Sequence, residues 1–77
     1  MIKLPIVKFR ELAKVIEKAG FIHIRTAGSH FYYRDPKTKA TVSIPNHGSK
    51  PLGKGLVKGI LNDAGLTTQD LIQLLKK

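Results

Sequence analysis

The stretch GFIHIRTAGSHFYYRDPKTKATVSIP, Gly20 to Pro45, decides the fold. Ile22 and Ile24 alternate with His23 and Arg25, the period of two expected of a half-buried strand. Thr26-Ala27-Gly28-Ser29 supplies a turn, and His30-Phe31-Tyr32-Tyr33-Arg34 is rich in the aromatic residues that strands favour. Asp35-Pro36-Lys37-Thr38 is a second turn, with proline preset for a turn position. Ala40-Thr41-Val42-Ser43-Ile44 alternates again and stops at Pro45. Connections this short force neighbouring strands to run antiparallel, so the segment reads as a three-stranded meander.

On either side of it the period changes to that of a helix. Upstream, Phe9, Leu12, Ala13, Ile16 and Ala19 share one face, and Arg10, Glu11, Lys14, Glu17 and Lys18 take the other. Gly20 can turn left-handed to close that helix, with Phe21 packing back over its last turn. Its start carries no Ser, Thr, Asp or Asn just before Phe9. Downstream, Pro45 to Lys54 is a loop holding His47 and two lysines. Leu56, Val57, Ile60, Leu61 and Ala64 then form a second apolar helical face closed by Gly65. Gly59 inside this helix costs about 1 kcal/mol relative to alanine, which predicts a close approach to the sheet there. Thr67-Thr68-Gln69-Asp70 has capping-box spacing and Leu66 with Leu71 fits a hydrophobic staple, so a short third helix carries Leu71, Ile72, Leu74 and Leu75.

The order helix, three strands, helix, short helix defines an α+β domain. An antiparallel sheet must cover one face, and helices from both ends of the chain do so together. The arrangement, α-β-β-β-α with a short C-terminal helix, is that of a double-stranded-RNA-binding domain. The 77 residues make one domain, spanning 1–77, with a small core. With no cysteine there is no disulfide and no thiolate metal site, which suits a cytoplasmic protein. The N-terminal residues lack the apolar stretch of a signal peptide, and no run reaches membrane-spanning length, so no membrane partner is expected.

Charge narrows the function. Fourteen Lys+Arg against five Asp+Glu leave a formal +9, an excess that repels itself in a small fold and attracts polyanions. Nucleic acid is the expected partner. No Walker loop, dinucleotide fingerprint or zinc pattern occurs, and no cofactor is expected. The acids Glu11, Glu17, Asp35, Asp63 and Asp70 show no pairing suited to two-metal hydrolysis or to glycosidase chemistry. Three histidines remain. His23, off the Ile22/Ile24 face, reads as a solvated strand residue. His30 opens the second strand directly after Gly28-Ser29, where turn amides can form a concave anion site beside a group that moves protons near neutral pH. His47 shares a basic loop with Lys50 and Lys54 and lies in reach of RNA or of the same cleft.

Taken together, Ala19-Gly20-Phe21, Arg25, Gly28-Ser29-His30, Arg34 and Pro36 resemble the HicA family of bacterial toxins. Ile44-Pro45-Asn46-His47-Gly48 is similar to that family's strand exit into a histidine-bearing loop. Gly55-Leu56-Val57-Lys58-Gly59-Ile60-Leu61 with Ala64-Gly65-Leu66 is similar to its second helix and following turn. The resemblance implies an mRNA-cleaving toxin of double-stranded-RNA-binding-domain-like fold, restrained by a HicB-type antitoxin. It places the catalytic histidine at His30, with Gly28 and Ser29 framing the site, and carries His47 only as a motif position. The chain departs at Leu56, where members commonly have threonine, and in Phe31-Tyr32-Tyr33, where the family varies.

A metal-free ribonuclease needs a base for the 2′-hydroxyl proton, cations for the phosphate and an acid for the leaving oxygen. His30 is the base or the acid, and Ser29 with the turn amides orients the phosphate. Arg25, Arg34, Lys50, Lys54 and Lys58 are phosphate contacts chosen by charge and placement. His47, Tyr32 or a lysine completes the proton traffic. Two other classes share the same composition: a non-catalytic double-stranded-RNA-binding module, and a protein that only docks an acidic partner. Neither makes growth arrest depend on His30.

Overall fold

The structure, a computed structural model, describes residues 3–77; Met1 and Ile2 of the expected 1–77 domain lie outside the described residues. Its elements are α1 (Phe9–Lys18), β1 (Ile22–Ala27), β2 (His30–Arg34), β3 (Thr41–Pro45), α2 (Lys54–Ala64) and α3 (Thr68–Leu75). The strands form one antiparallel sheet in the order β1-β2-β3, so the α+β, double-stranded-RNA-binding-domain-like architecture is present.

Two glycines end helices in the same way. Gly20, at φ +105, follows α1; its N–H donates to Glu17 C=O at 3.0 Å while that of Phe21 donates to Ile16 C=O at 3.1 Å. Gly65, at φ +73, follows α2, with Gly65 N–H on Asn62 C=O at 3.1 Å and Leu66 N–H on Leu61 C=O at 2.8 Å. Both are Schellman closures, and the residue after each glycine folds back onto the core as the motif requires. The start of α1 is fixed by Glu11, whose carboxylate accepts from Lys8 N–H at 2.9 Å, half of a capping box without the usual hydroxyl. At α3 the box is complete: Thr67 N–H donates to Asp70 Oδ2 (2.9 Å) and Asp70 N–H to Thr67 Oγ1 (3.1 Å). The far end of α3 is tied to α1, because the Lys18 ammonium donates to the carbonyls of Leu74, at 3.1 Å, and Lys77.

The sheet has a core face and an outer face, and the register says which residue lies on which. Directly paired residues share a face. Tyr33 pairs with Val42 and Phe31 with Ile44, and the buried Tyr33, Val42 and Ile44 face the helices. There α1 and α2 lie against β3, and α3 packs on both helices. Leu12, Val15 and Ile16 of α1, Val57, Ile60 and Leu61 of α2, and Leu71 of α3 complete the core. Val7 and Leu52, outside every helix and strand, are also buried; Leu52 N–H donates to Val7 C=O at 2.8 Å, and Lys8 bridges Pro51.

Three expectations are corrected. β1 is exposed along its whole length rather than half-buried, and Ile22 and Ile24 are 56% and 50% exposed. The residues of β1 on the core side are His23, opposite Tyr33, and Thr26, opposite Phe31; the His23 ring centroid is 5.3 Å from those of both Phe31 and Tyr33. His23 is nevertheless exposed, as expected, and its Nε2 lies 2.8 Å from Thr26 Oγ1. A bulge between His23 and Arg25 then shifts the register, which puts Arg25 opposite Tyr32. The second correction concerns Gly59. It makes no close approach to the sheet, since a Cβ there would have no neighbour within 4 Å. Leu56, expected on the buried face of α2, is 38% exposed.

Candidate nucleic-acid interface

His30 opens β2 because the β1–β2 connection is only Gly28-Ser29, with Ala27 paired to His30. Gly28 has φ +60 and Ser29 has no positive φ, the φ pattern of a type II′ hairpin turn with glycine at its first central position. Across the sheet His30 pairs with Pro45, so it lies on the face away from the core and is exposed. Just beyond that pair, Asn46 N–H donates to Ser29 C=O at 2.7 Å. This bond sets the residue before His47 on the residue before His30. The loop is then curled by a second contact, Gly48 N–H to Asn46 Oδ1 at 2.8 Å, with Gly48 at φ +67 and Lys50 N–H on His47 C=O at 3.3 Å. Gly28, Ser29, His30, His47 and Lys50 therefore gather at one end of the sheet. Asn46 holds that end together, and sequence reasoning gave it no role beyond a motif position.

The outer face continues from there along β2. Side chains two residues apart point the same way, so His30, Tyr32 and Arg34 form a row. Arg25 of β1 is opposite Tyr32, and its guanidinium carbon stands 4.6 Å from the centre of the Tyr32 ring, a cation–π contact. Ser43 and Thr41 of β3 pair with Tyr32 and Arg34 on the same face. Arg34 shares the face with His30 but stands four residues along, about 13 Å away at strand rise. Lys54 and Lys58 are exposed on α2, in the layer on the other side of the sheet, and are not brought to the His30 row. Lys8, the N-cap of α1, and Arg10 in its first turn line, with Glu11, Gly48 and Ser49, an open groove between the helix start and the His47 loop. Their signal in the sequence was only charge.

Chemically, one end offers two imidazoles, a hydroxyl and cations on a tight backbone turn, and the adjoining face offers an aromatic ring and two guanidinium groups. Among the described residues no group of three His, Asp or Glu side chains is placed to hold a metal ion, and no helix is long and apolar enough to cross a membrane.

The family model described as the HicA toxin of bacterial toxin–antitoxin systems matches residues 9–66 of the 77-residue chain. The chain belongs to the HicA toxin family. The matched span runs from the first residue of α1 to the Schellman turn after α2, and so takes in the whole sheet, the Gly28-Ser29-His30 turn and the His47 loop. A comparison with curated proteins found no match. As a HicA toxin the protein is the toxic member of a toxin–antitoxin pair and has an antitoxin as its partner. α3 lies beyond the match, yet its Leu71 is fully buried in the common core.

Proposed function

We propose that this HicA toxin is an endoribonuclease that cleaves mRNA, with His30 as its proton-transfer residue and a HicB-type antitoxin covering the site. The observation that carries the reading is the placement of His30: exposed, on the outer face, at a Gly28-Ser29 hairpin to which the His47 loop is hydrogen-bonded. The substrate brings its own nucleophile. The 2′-oxygen attacks the adjacent phosphorus as its proton leaves, the P–O5′ bond breaks, and the products are a 2′,3′-cyclic phosphate and a 5′-hydroxyl. His30 takes the 2′-proton or delivers one to O5′, and no step is routed through a metal. Ser29 and the turn amides hold the phosphate, while Lys50 steadies its charge. Arg25 and Arg34 contact phosphates along the face. His47, Tyr32 or a lysine completes the proton traffic, and His47 is on the loop hydrogen-bonded to the His30 turn.

The formal +9 makes phosphate contacts the main source of RNA affinity, which then falls with salt at a log–log slope of roughly −0.7 to −0.9 per neutralised phosphate. The decisive experiment is His30→Ala. Loss of a positioned proton-transfer group lowers the rate about 10²–10⁴-fold. Truncating an exposed imidazole changes stability by no more than about 0.5 kcal/mol, and RNA affinity stays close to wild type. Cleavage, thermal unfolding and RNA affinity are measured side by side with chelator present. Undiminished cleavage by a folded His30→Ala protein removes His30 from the mechanism; undiminished RNA binding without any wild-type cleavage makes the protein a binding module.

A further inference from the structure

The outer face of the sheet is open to solvent, and at its centre is an aromatic ring rather than a small polar side chain. Tyr32 is on the middle strand, half-buried, with Arg25 lying over it at 4.6 Å. Its neighbour Tyr33, pointing the other way, is 4% exposed and belongs to the core. Only Tyr33 is needed for packing, so the fold assigns Tyr32 no interior role. A tyrosine ring and a flat guanidinium on an open sheet are the two surfaces on which unpaired nucleobases stack. Spacing adds to this. Tyr32 is two residues from His30 on the same strand and face, about 7 Å away, so a strand with its phosphate at the Gly28-Ser29-His30 turn carries a neighbouring base onto the Arg25–Tyr32 pair. Arg34 lies the same step further on, positioned for the next phosphate.

We infer that the Arg25–Tyr32 pair is a base-stacking platform, and that the toxin's substrate is an unpaired RNA strand laid along the outer face of β2. This rests on the proposed ribonuclease reading and specifies its substrate class. A duplex cannot use the platform, because its bases are already stacked and paired. The fold's resemblance to a double-stranded-RNA-binding domain therefore does not carry over to the nucleic acid it takes.

The test uses a short 2′-O-methyl RNA strand, which lacks the nucleophile and cannot be cleaved, so its binding is measured whether or not His30 is catalytic. Wild type, Tyr32→Phe and Tyr32→Thr are titrated with the single strand and with the same sequence annealed to its complement. Wild type and Tyr32→Phe bind the single strand alike, and Tyr32→Thr binds it about 5- to 150-fold more weakly, the worth of one stacked base. Duplex affinity is the same for all three proteins. The chain has two tyrosines and no tryptophan, so a Tyr33→Phe protein emits from Tyr32 alone, and its fluorescence is quenched by the single strand but not by the duplex. Duplex binding as tight as single-strand binding, with Tyr32→Thr affecting neither, overturns the inference. So does a Tyr32→Thr change that weakens only antitoxin binding, which would make the face a protein contact. Loss of cleavage in His30→Ala with no stacking signal at Tyr32 leaves the ribonuclease and removes the platform.

Discussion

Glycine to alanine is the smallest side-chain addition available, and at two positions of α2 and its terminus it should act with opposite signs. Gly59 is in the interior of the helix, without a positive φ, and a Cβ there meets no atom within 4 Å. Alanine at such a site lowers the entropy of the unfolded chain and adds no clash, so Gly59→Ala should stabilise by about 0.5–1 kcal/mol. Gly65 also has open space around it, but its φ is +73. There alanine must hold a left-handed conformation, and Gly65→Ala should cost about 1–2 kcal/mol. Because space is equally free at both, the difference isolates backbone conformation from packing. For a domain of this size each kcal/mol moves the melting temperature by roughly 4–8 °C, so the two variants should melt roughly 6–24 °C apart, one above wild type and one below. Urea unfolding of the three proteins, with unchanged m-values, checks that the native state is responsible. A destabilised Gly59→Ala protein would falsify the open face on that side of α2 and restore the close packing expected from the sequence.

Thr67→Ala removes the hydroxyl that accepts from Asp70 N–H, and should cost about 1 kcal/mol in chemical denaturation; Thr67→Ser, which keeps the acceptor, should recover most of it. A Thr67→Ala protein as stable as wild type would mean that the box contributes nothing. Burial, and then the nearby Glu17 carboxylate, hold the Tyr33 phenol above its ordinary value of 10.0, so the folded protein keeps the proton that the unfolded chain releases. The stability this contributes is full below pH 10 and is lost as pH rises through the folded value, because unfolding then releases a proton. Tyr33→Phe should therefore lose less stability than wild type above pH 10, and parallel stability curves for the two proteins would rule out Tyr33 as the titrating group.

Most of the architecture is readable from local rules. Helix ends at Gly20 and Gly65, the Thr67–Asp70 box and the Gly28-Ser29 reversal each need only a few adjacent residues. β1 is where such rules fail. Alternation of Ile22 and Ile24 with His23 and Arg25 marks a strand, but it does not say which face meets the helices. That choice belongs to the placement of α1 and α2 over β3, and it leaves the isoleucines outside and sets a histidine against Phe31 and Tyr33. The bulge between His23 and Arg25 is equally invisible, since it depends on the partner strand's register. At the proposed site, His30 was visible through its turn. Asn46 was not, because its contact with Ser29 joins segments that only the folded sheet brings together. Val7 and Leu52 escaped for a related reason: a single apolar residue in a loop has no period to announce it.

The same bulge bears on solubility. β1 closes one side of the sheet, and an edge strand carries backbone N–H and C=O groups able to pair with another chain. With two exposed isoleucines, a straight β1 would be a ready template for copy-to-copy sheet growth. The extra residue bends the strand and breaks its hydrogen-bonding rhythm midway, and Arg25 adds charge beside the break. Excising Ile24 restores an even rhythm and removes one apolar side chain, yet it should make the protein more prone to precipitate at high concentration. The irregularity that hides β1's register from the sequence thus also breaks the even edge on which copies of this chain would add strands.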